Sequence, residues 1–314
     1  MQMPIASDRL LAFVTVAREK GFSRAAKVLG KTQSAVSQAV LHLEEELGQR
    51  LFVRDGRATR PTQAGLALLE DAERILADMA RARERLAALG AADTGRLDIG
   101  TSDTLACHVL PPVLAAFRER HPGIELRLDN RPSPATALLV SELGVDVGVV
   151  ALPLPDGLES RGRPIEERLR VEPLARYSES VILPPGHELS RKQKVHVRDL
   201  EGVPLLLLDR TTGSRRFLDL AFERASVRPR VTMEMSSVEV LKKLVTLGFG
   251  VSVVPTVAVD REVSDGSLVA RPLSPVDRAR RIALLTPRVS RPARAAEAFA
   301  EILRSVLSER PMGP

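Results

Sequence analysis

Residues 32 to 60, TQSAVSQAVLHLEEELGQRLFVRDGRATR, constrain this chain more than any other stretch, because a helical repeat runs directly into an arginine-studded hairpin. Val36, Val40, Leu43 and Leu47 recur at offsets of four, three and four, so they share one buried stripe of a helix. Ser34, Ser37, Gln38 and Leu41 take the opposite stripe. Small hydroxyls and amides suit a surface that approaches base edges and phosphates, since glutamine pairs bidentately with adenine and serine serves either partner. Thr32 is the expected N-cap and Gly48 the stop. Beyond it, Asp55-Gly56 between two extended runs signals a tight hairpin turn, with Arg50, Arg54, Arg57 and Arg60 along the wing.

Upstream, Ser7 is expected to cap a helix with Leu10, Phe13, Val14 and Ala17 inside, ended by Gly21. Ser23 is expected to cap a shorter one carrying Ala26, Val28 and Leu29, ended by Gly30. Three helices and a hairpin make a winged helix-turn-helix. Residues 1 to 65 resemble the DNA-binding domain of the LysR-type transcriptional regulators. The resemblance runs in order through Phe22-Ser23-Arg24-Ala25-Ala26, Gln33-Ser34-Ala35-Val36-Ser37-Gln38, Leu43-Glu44-Glu45-Glu46-Leu47-Gly48, Leu51-Phe52-Val53-Arg54 and Pro61-Thr62-Gln63-Ala64-Gly65. The expected DNA-contacting set is Arg24, Gln33, Ser34, Ser37, Gln38, Arg54, Arg57 and Arg60, with double-stranded promoter DNA as the partner. That family usually carries one or two basic residues just before the LEEELG string, where this chain has Leu41 and His42. Backbone affinity is then left more to Arg24 and the wing, and Leu41 is either a partner for a thymine methyl or simply an exposed leucine.

Residues 62 to 89 contain no proline and are rich in Ala, Leu, Glu and Arg, so a single helix of roughly 42 Å is expected behind Thr62 as cap. Leu69, Leu76 and Arg83, with Ala72, Met79 and Leu86, fall at heptad-like positions, which suits pairing with a second copy or packing along another domain. The family resemblance implies the pairing, and two-fold pairing implies an interrupted palindrome as the DNA site.

After Gly90 short apolar runs alternate with helical stretches. Strands are expected at 97–100, 124–128 and 145–150, and helices at 104–120, restarted at Pro111-Pro112, and at 135–143. A second set follows, with strands near 180–183, 205–208, 231–233 and 251–254 and helices near 214–225 and 238–247. Such alternation implies parallel-rich sheets with helices on both faces. The family resemblance continues here through Leu97-Asp98-Ile99-Gly100, Leu110-Pro111-Pro112, Val145-Asp146-Val147-Gly148 and Leu244 to Pro255. It implies two Rossmann-like subdomains, similar to periplasmic binding proteins, with a small-molecule effector between them. The expected division is a winged helix-turn-helix at 1–61, a linker and dimerisation helix at 62–90, and an effector-binding domain at 91–310. Within the last, subdomain I takes about 96–166 and 271–310 and subdomain II about 167–270, with chain crossings near 165–172 and 268–273.

Ligands of open α/β sheets collect beyond the carboxyl ends of strands, where helix N-termini offer free N–H groups. Ser102 and Thr104 lie in such a turn and match positions that the family uses for its effector; Ser133, Thr211, Thr212 and Ser214 lie in similar hydroxyl-rich turns. Together they point to a small polar or anionic effector, although Asp103 would repel an anion if it faced the cleft. With no Trp and only Tyr177, an aromatic sandwich is disfavoured, while Phe217 and Phe249 keep it open.

Cys107 is the only cysteine, which excludes an intrachain disulfide and a multi-thiolate metal site within one chain. It is expected to be a buried structural residue, because it and His108 point about 100° apart on a helix and do not form a nucleophile pair. Gly248-Phe249-Gly250 lies between a helix and a strand, the reverse of a nucleotide-binding loop. No metal, cofactor or catalytic constellation is found, so the chain is not read as an enzyme. The net charge of +6 mildly favours polyanions. The sequence shows no secretory pattern and no membrane-spanning apolar run, so a cytoplasmic protein without membrane contact is expected. The reading is an N-terminal all-α winged helix-turn-helix, a long linker helix and an α/β effector-binding domain. The implied partners are DNA, an effector, a second copy as homodimer or homotetramer, and RNA polymerase as a further candidate.

Overall fold

The computed structural model describes residues 5–55, 58–88, 94–274, 280–288 and 293–309, with the side chains at 54, 55, 58, 81 and 84–88 outside that description. The chain divides into two compact units, residues 1–90 and 91–314, and each is treated by itself.

In the first unit α1 (Ser7–Glu19), α2 (Phe22–Leu29) and α3 (Gln33–Leu47) pack into a three-helix core, followed by the hairpin β1 (Phe52–Asp55) and β2 (Ala58–Pro61) and by α4 (Gln63–Ala88). Val36, Val40 and Leu43 are buried as their spacing requires, against Leu10, Phe13 and Val16 of α1. The Thr32 hydroxyl accepts from the Ala35 N–H, and Gly30 and Gly48 end their helices in the left-handed conformation. The other two expected caps are not formed. Ser7 is already helical, with Ala6 at the N-cap, and Ser23 lies inside α2, which starts from Gly21. Lys20, not Gly21, takes the left-handed turn after α1. Val28 is 63% exposed, because the short α2 buries Ala25 and Ala26 instead. The hairpin register pairs Asp55 with Ala58, so the connection falls on residues 56 and 57, outside the described residues.

The wing is tied to α3 by one buried carboxylate. Glu44 Oε1 accepts from the Leu51 N–H at 2.7 Å and the Phe52 N–H at 3.2 Å, and Oε2 lies 3.3 Å from Arg50. Phe52 then packs its ring on Phe13 and Phe22, at centroid distances of 5.4 and 5.8 Å. Thr62 caps α4 through the Gly65 N–H. A Cβ at Gly65 would lie 2.2 Å from the Leu51 carbonyl oxygen, so only glycine lets α4 start this close to the wing.

The first turns of α4 bury Ala72 and half-bury Leu68, Leu69 and Leu76 against this core. Leu69, Ala72 and Leu76 thus contact the core of their own unit, with Leu69 and Leu76 still partly uncovered. Leu66, Ile75 and Met79 remain exposed, Arg83 is exposed, and the side chain of Leu86 lies outside the described residues.

The second unit holds two α/β subdomains. The first contains β3 (Gly95–Thr101), α5 (Asp103–His108), α6 (Leu110–Arg120), β4 (Ile124–Asn130), α7 (Ser133–Ser141) and β5 (Val147–Leu152). Two short strands, β6 (Glu159–Ser160) and β7 (Arg163–Pro164), and one turn of helix, α8 (Ile165–Arg168), then lead to β8 (Leu169–Tyr177). The second contains β9 (Glu179–Leu183), β10 (Val195–His196), β11 (Pro204–Leu208), α9 (Gly213–Ala225), β12 (Arg230–Met235), α10 (Val238–Thr246), β13 (Ser252–Pro255), α11 (Asp260–Ser264) and β14 (Val269–Ser274). β15 (Arg280–Pro287) and α12 (Arg294–Glu309) return to the first.

The sheet orders are β4-β3-β5-β15-β8 and β10-β14-β9-β13, with the parallel pair β11-β12 joined to the latter through a bridge at Leu205 and Val251. The sheets are mixed rather than parallel throughout, because the crossing strands β8, β15, β9 and β14 run antiparallel to neighbours. Alternation sorts the core: Ile282 and Leu284 face α6 and α12, whereas Ala283 and Leu285 face α7. In the second sheet Leu205 and Leu207 pack on α9, and Leu206 and Leu208 on α10.

The first crossing lies at Ser178, between β8 and β9, and not at 165–172, because residues 169–177 pair along the whole length of β15. The second comes after Ser274 and not at 268–273, because 269–272 still pair with β9 and 273–274 with β10.

Removing the Glu44 carboxylate should cost about 2–4 kcal/mol by leaving two buried N–H groups unpaired. Denaturant unfolding of Glu44→Ala measures this, and Glu44→Gln, which keeps an acceptor, should lose less; equal stability of Glu44→Ala and the parent would disprove the tie.

Candidate functional site

The outer face of α3 exposes Gln33, Ser34, Gln38, Leu41 and His42, with Ser37 half-buried among them. The face carries little internal bonding: Ser23 Oγ donates to Gln33 Oε1 at 3.1 Å, and Ser34 Oγ lies 3.0 Å from Thr32 Oγ1. Amides and hydroxyls on one exposed helical stripe present both donors and acceptors, the chemistry needed to read base edges. Arg60 is exposed on the wing, paired across the hairpin with Val53. Arg57 and the Arg54 side chain lie outside the described residues. Arg24 is used differently from expectation. Its guanidinium donates to the carbonyls of Glu19 and Lys20 at 2.6 and 3.0 Å, closing the end of α1.

The effector candidates converge in the second unit. A cavity of about 400 Å³ between the subdomains is lined by Ser102, Thr104, Ser133, Thr211 and Thr212, all five of the residues expected there. Among the described residues, the N-termini of α5, α7, α9 and α10 reach it, two from each subdomain. Their free N–H groups favour a negative or strongly polar guest.

The hydroxyls are not equivalent. Ser102 caps α5 only through its carbonyl, and neither its hydroxyl nor that of Thr104 bonds to another described residue. Ser133 is the first residue of α7 rather than a residue before it, and its buried Oγ accepts from the Ala151 N–H at 3.1 Å, bolting α7 to β5. Thr212 caps α9 and donates to the Asp209 carbonyl, while Thr211 bonds Asp209. Ser214 donates to Glu179 and lies behind the cavity wall. Asp103 does line the cavity, but it accepts from Asn130 Nδ2 at 3.2 Å.

Arg280 was not legible as a site residue. It is 3% exposed, lines the cavity, and donates through Nη1 to Glu179 Oε1 at 2.9 Å and to Ser214 Oγ at 3.1 Å. Its Nε is buried without a partner, and its guanidinium carbon lies 5.3 Å from the Tyr177 ring centroid and 5.9 Å from that of Phe217. Burial pushes the Glu179 carboxyl up, against the opposing pull of Arg280 and the Ser214 hydroxyl. The sequence signal was a pair of arginines, Arg280 and Arg281, ahead of the apolar run Ile282 to Leu285. Ser236 and Ser237, also at the cavity, were legible as the residues before α10.

Cys107 is exposed, contrary to expectation, because α5 turns Leu105 rather than Cys107 into the core. Partial burial and the carboxylates of Asp103 and Glu239 raise its thiol pKa, which disfavours the reactive thiolate. Among the described residues no cluster suited to a metal ion occurs, and no helix is long and apolar enough to cross a membrane.

Two family profiles match the chain: "Bacterial regulatory helix-turn-helix protein, lysR family" over residues 7–66 and "LysR substrate binding domain" over residues 90–308. A "Probable RuBisCO transcriptional regulator" of Trichormus variabilis is 30% identical over 305 residues, which cover 95% of this chain and 88% of that protein. Among solved structures, full-length OxyR C199D from Pseudomonas aeruginosa aligns with a TM-score of 0.65 at 25% identity, covering 99% of this chain and 97% of its own. CbnR complexed with its target DNA aligns with a TM-score of 0.70 at 21% identity, covering 96% and 99%, and bears on the fold alone. A helix-turn-helix unit followed by a substrate-binding domain, matched over nearly the whole length to regulators and not to enzymes, leads to one conclusion: the chain belongs to the LysR family of DNA-binding transcriptional regulators.

Proposed function

We propose that this regulator reads duplex DNA through the exposed stripe of α3 and its wing, and that a small polar or anionic effector in the cleft between the α/β subdomains modulates that binding. One observation carries the effector reading: the uncommitted hydroxyls of Ser102 and Thr104 open into a cavity that receives four helix N-termini. A guest contacting both walls favours one relative placement of the subdomains, and it shifts the population only through unequal affinity for the two placements. Self-association as a dimer or tetramer is supported by the exposed Ile75 and Met79 on α4, one turn apart on one face. Paired recognition helices then select an interrupted palindrome in promoter DNA. The relatives' connection with RuBisCO genes belongs to those proteins; the target here is to be found by selecting and footprinting genomic fragments on the purified protein.

In that assay Gln33→Ala, Ser37→Ala and Gln38→Ala should each weaken specific binding roughly tenfold or more, with little change for random DNA. Arg54→Ala and Arg60→Ala should weaken binding to all sequences and lower the salt slope by about one each. Unchanged footprints in the α3 variants would remove that stripe from the interface. Ser102→Ala and Thr104→Ala should leave effector-free DNA affinity intact while weakening the response to added cell metabolites; a full response in both variants would move the pocket elsewhere.

A further inference from the structure

A second cavity, of about 670 Å³, lies along α9, whose N-terminus faces the cleft. Its walls come from the loop after β5, from the turn around Val197, and from the face of α9 that carries Phe217, Leu220 and Ala221. The lining is mostly apolar, and Leu220 is 53% exposed, so hydrocarbon meets solvent here where an occupant would cover it. Three guanidinium groups, of Arg198, Arg216 and Arg224, border it against one carboxylate, of Asp156. Arg216 is half-buried, and its Nη1 donates to the Thr211 carbonyl at 2.8 Å; the Arg198 guanidinium bonds to no other described residue.

An apolar basin with an excess of cations at its border selects for shape and charge together. We propose that this cavity is a second ligand site, distinct from the cleft, for an amphipathic organic anion: an apolar body against Leu154, Phe217 and Leu220, and a carboxylate held by Arg216 with Arg198 or Arg224. Guanidinium suits that role because its planar fork matches a carboxylate with two parallel hydrogen bonds. The volume lies within the range of pockets that enclose small organic molecules. The site is not mechanically remote from the cleft. Gly213 lines both cavities, and Phe217 stands between the second cavity and the Arg280 guanidinium that lines the first. An occupant would press on the same helix whose N-terminus faces the effector.

Calorimetric titration of the full-length protein with sodium decanoate tests this directly. Decanoate should bind saturably, and shortening the chain should weaken binding by about fourfold per methylene, as burial of each CH₂ in an apolar pocket requires. Decylamine, with the same tail and the opposite charge, should fail to compete. Leu220→Glu, at a position exposed enough to tolerate the change, should weaken decanoate at least tenfold by placing a carboxylate in the basin. Arg216→Gln should weaken it about tenfold, whereas Ser102→Ala should leave it unchanged. Absence of saturable binding, equal binding of decylamine, or a loss with Ser102→Ala but not with Leu220→Glu would each overturn the proposal. None of these outcomes depends on the effector reading of the cleft, which the metabolite response of the Ser102 and Thr104 variants decides separately.

Discussion

The second unit is organised around a double crossing of the chain between two sheets, and one buried ion pair sits at that crossing. Glu179 opens β9 in one subdomain and Arg280 opens β15 in the other, and their side chains meet at 2.9 Å with both nearly inaccessible to water. Desolvating two charges in this way is costly, and a buried pair of this kind often contributes nothing net over an apolar replacement. Its value is positional. The pair sets where the strands may leave one sheet and enter the other, and it places a guanidinium in the wall of the cleft. Because both subdomains direct their strand ends toward the crossing, the N-termini of α5, α7, α9 and α10 face a common space. The polar character of the cavity thus follows from topology before any particular side chain is considered.

Contact between the subdomains continues away from the crossing. His108 on α5 lies 3.0 Å from Glu239 on α10, and Glu239 is shared with the buried Lys242, which also reaches Glu262 and the Ala258 carbonyl. Burial and the nearby Lys242 hold the His108 imidazole below its usual range, so the link is a neutral hydrogen bond near neutral pH rather than an ion pair. Such a contact links the facing helices of the two subdomains. In the first unit Glu44 joins α3 and the wing through two backbone N–H groups. α3 and the wing are thereby held together.

Much of this was legible from local pattern. The spacing of Val36, Val40 and Leu43 oriented α3, Thr32 and Thr62 were correctly placed as caps, and the strands and helices of both subdomains fell close to their expected positions. All five hydroxyl residues expected at the cleft line it. Misplacements occurred where a tertiary contact outweighs local preference. Ser7 and Ser23 have the chemistry of caps, but the helices begin earlier because Ala6 and Gly21 already supply the turn. Val28 has the spacing of a core residue, but the short α2 buries Ala25 and Ala26 instead.

The sequence by itself determined the family, the buried stripe of α3 and the alternation of strands and helices it could reach, because these depend on periods of two and 3.6 residues and on short ordered strings; it did not announce the crossing strands at 169–177 and 280–287 or the helix at 294–309. The tertiary structure alone decided the crossing at Ser178, the placement of Arg280 and the two cavities that share Gly213. Arg280 and Glu179 are 101 residues apart, and no local spacing records that they meet. A cavity is likewise defined by what several distant segments leave unfilled, which becomes visible only when the chain has been closed around it.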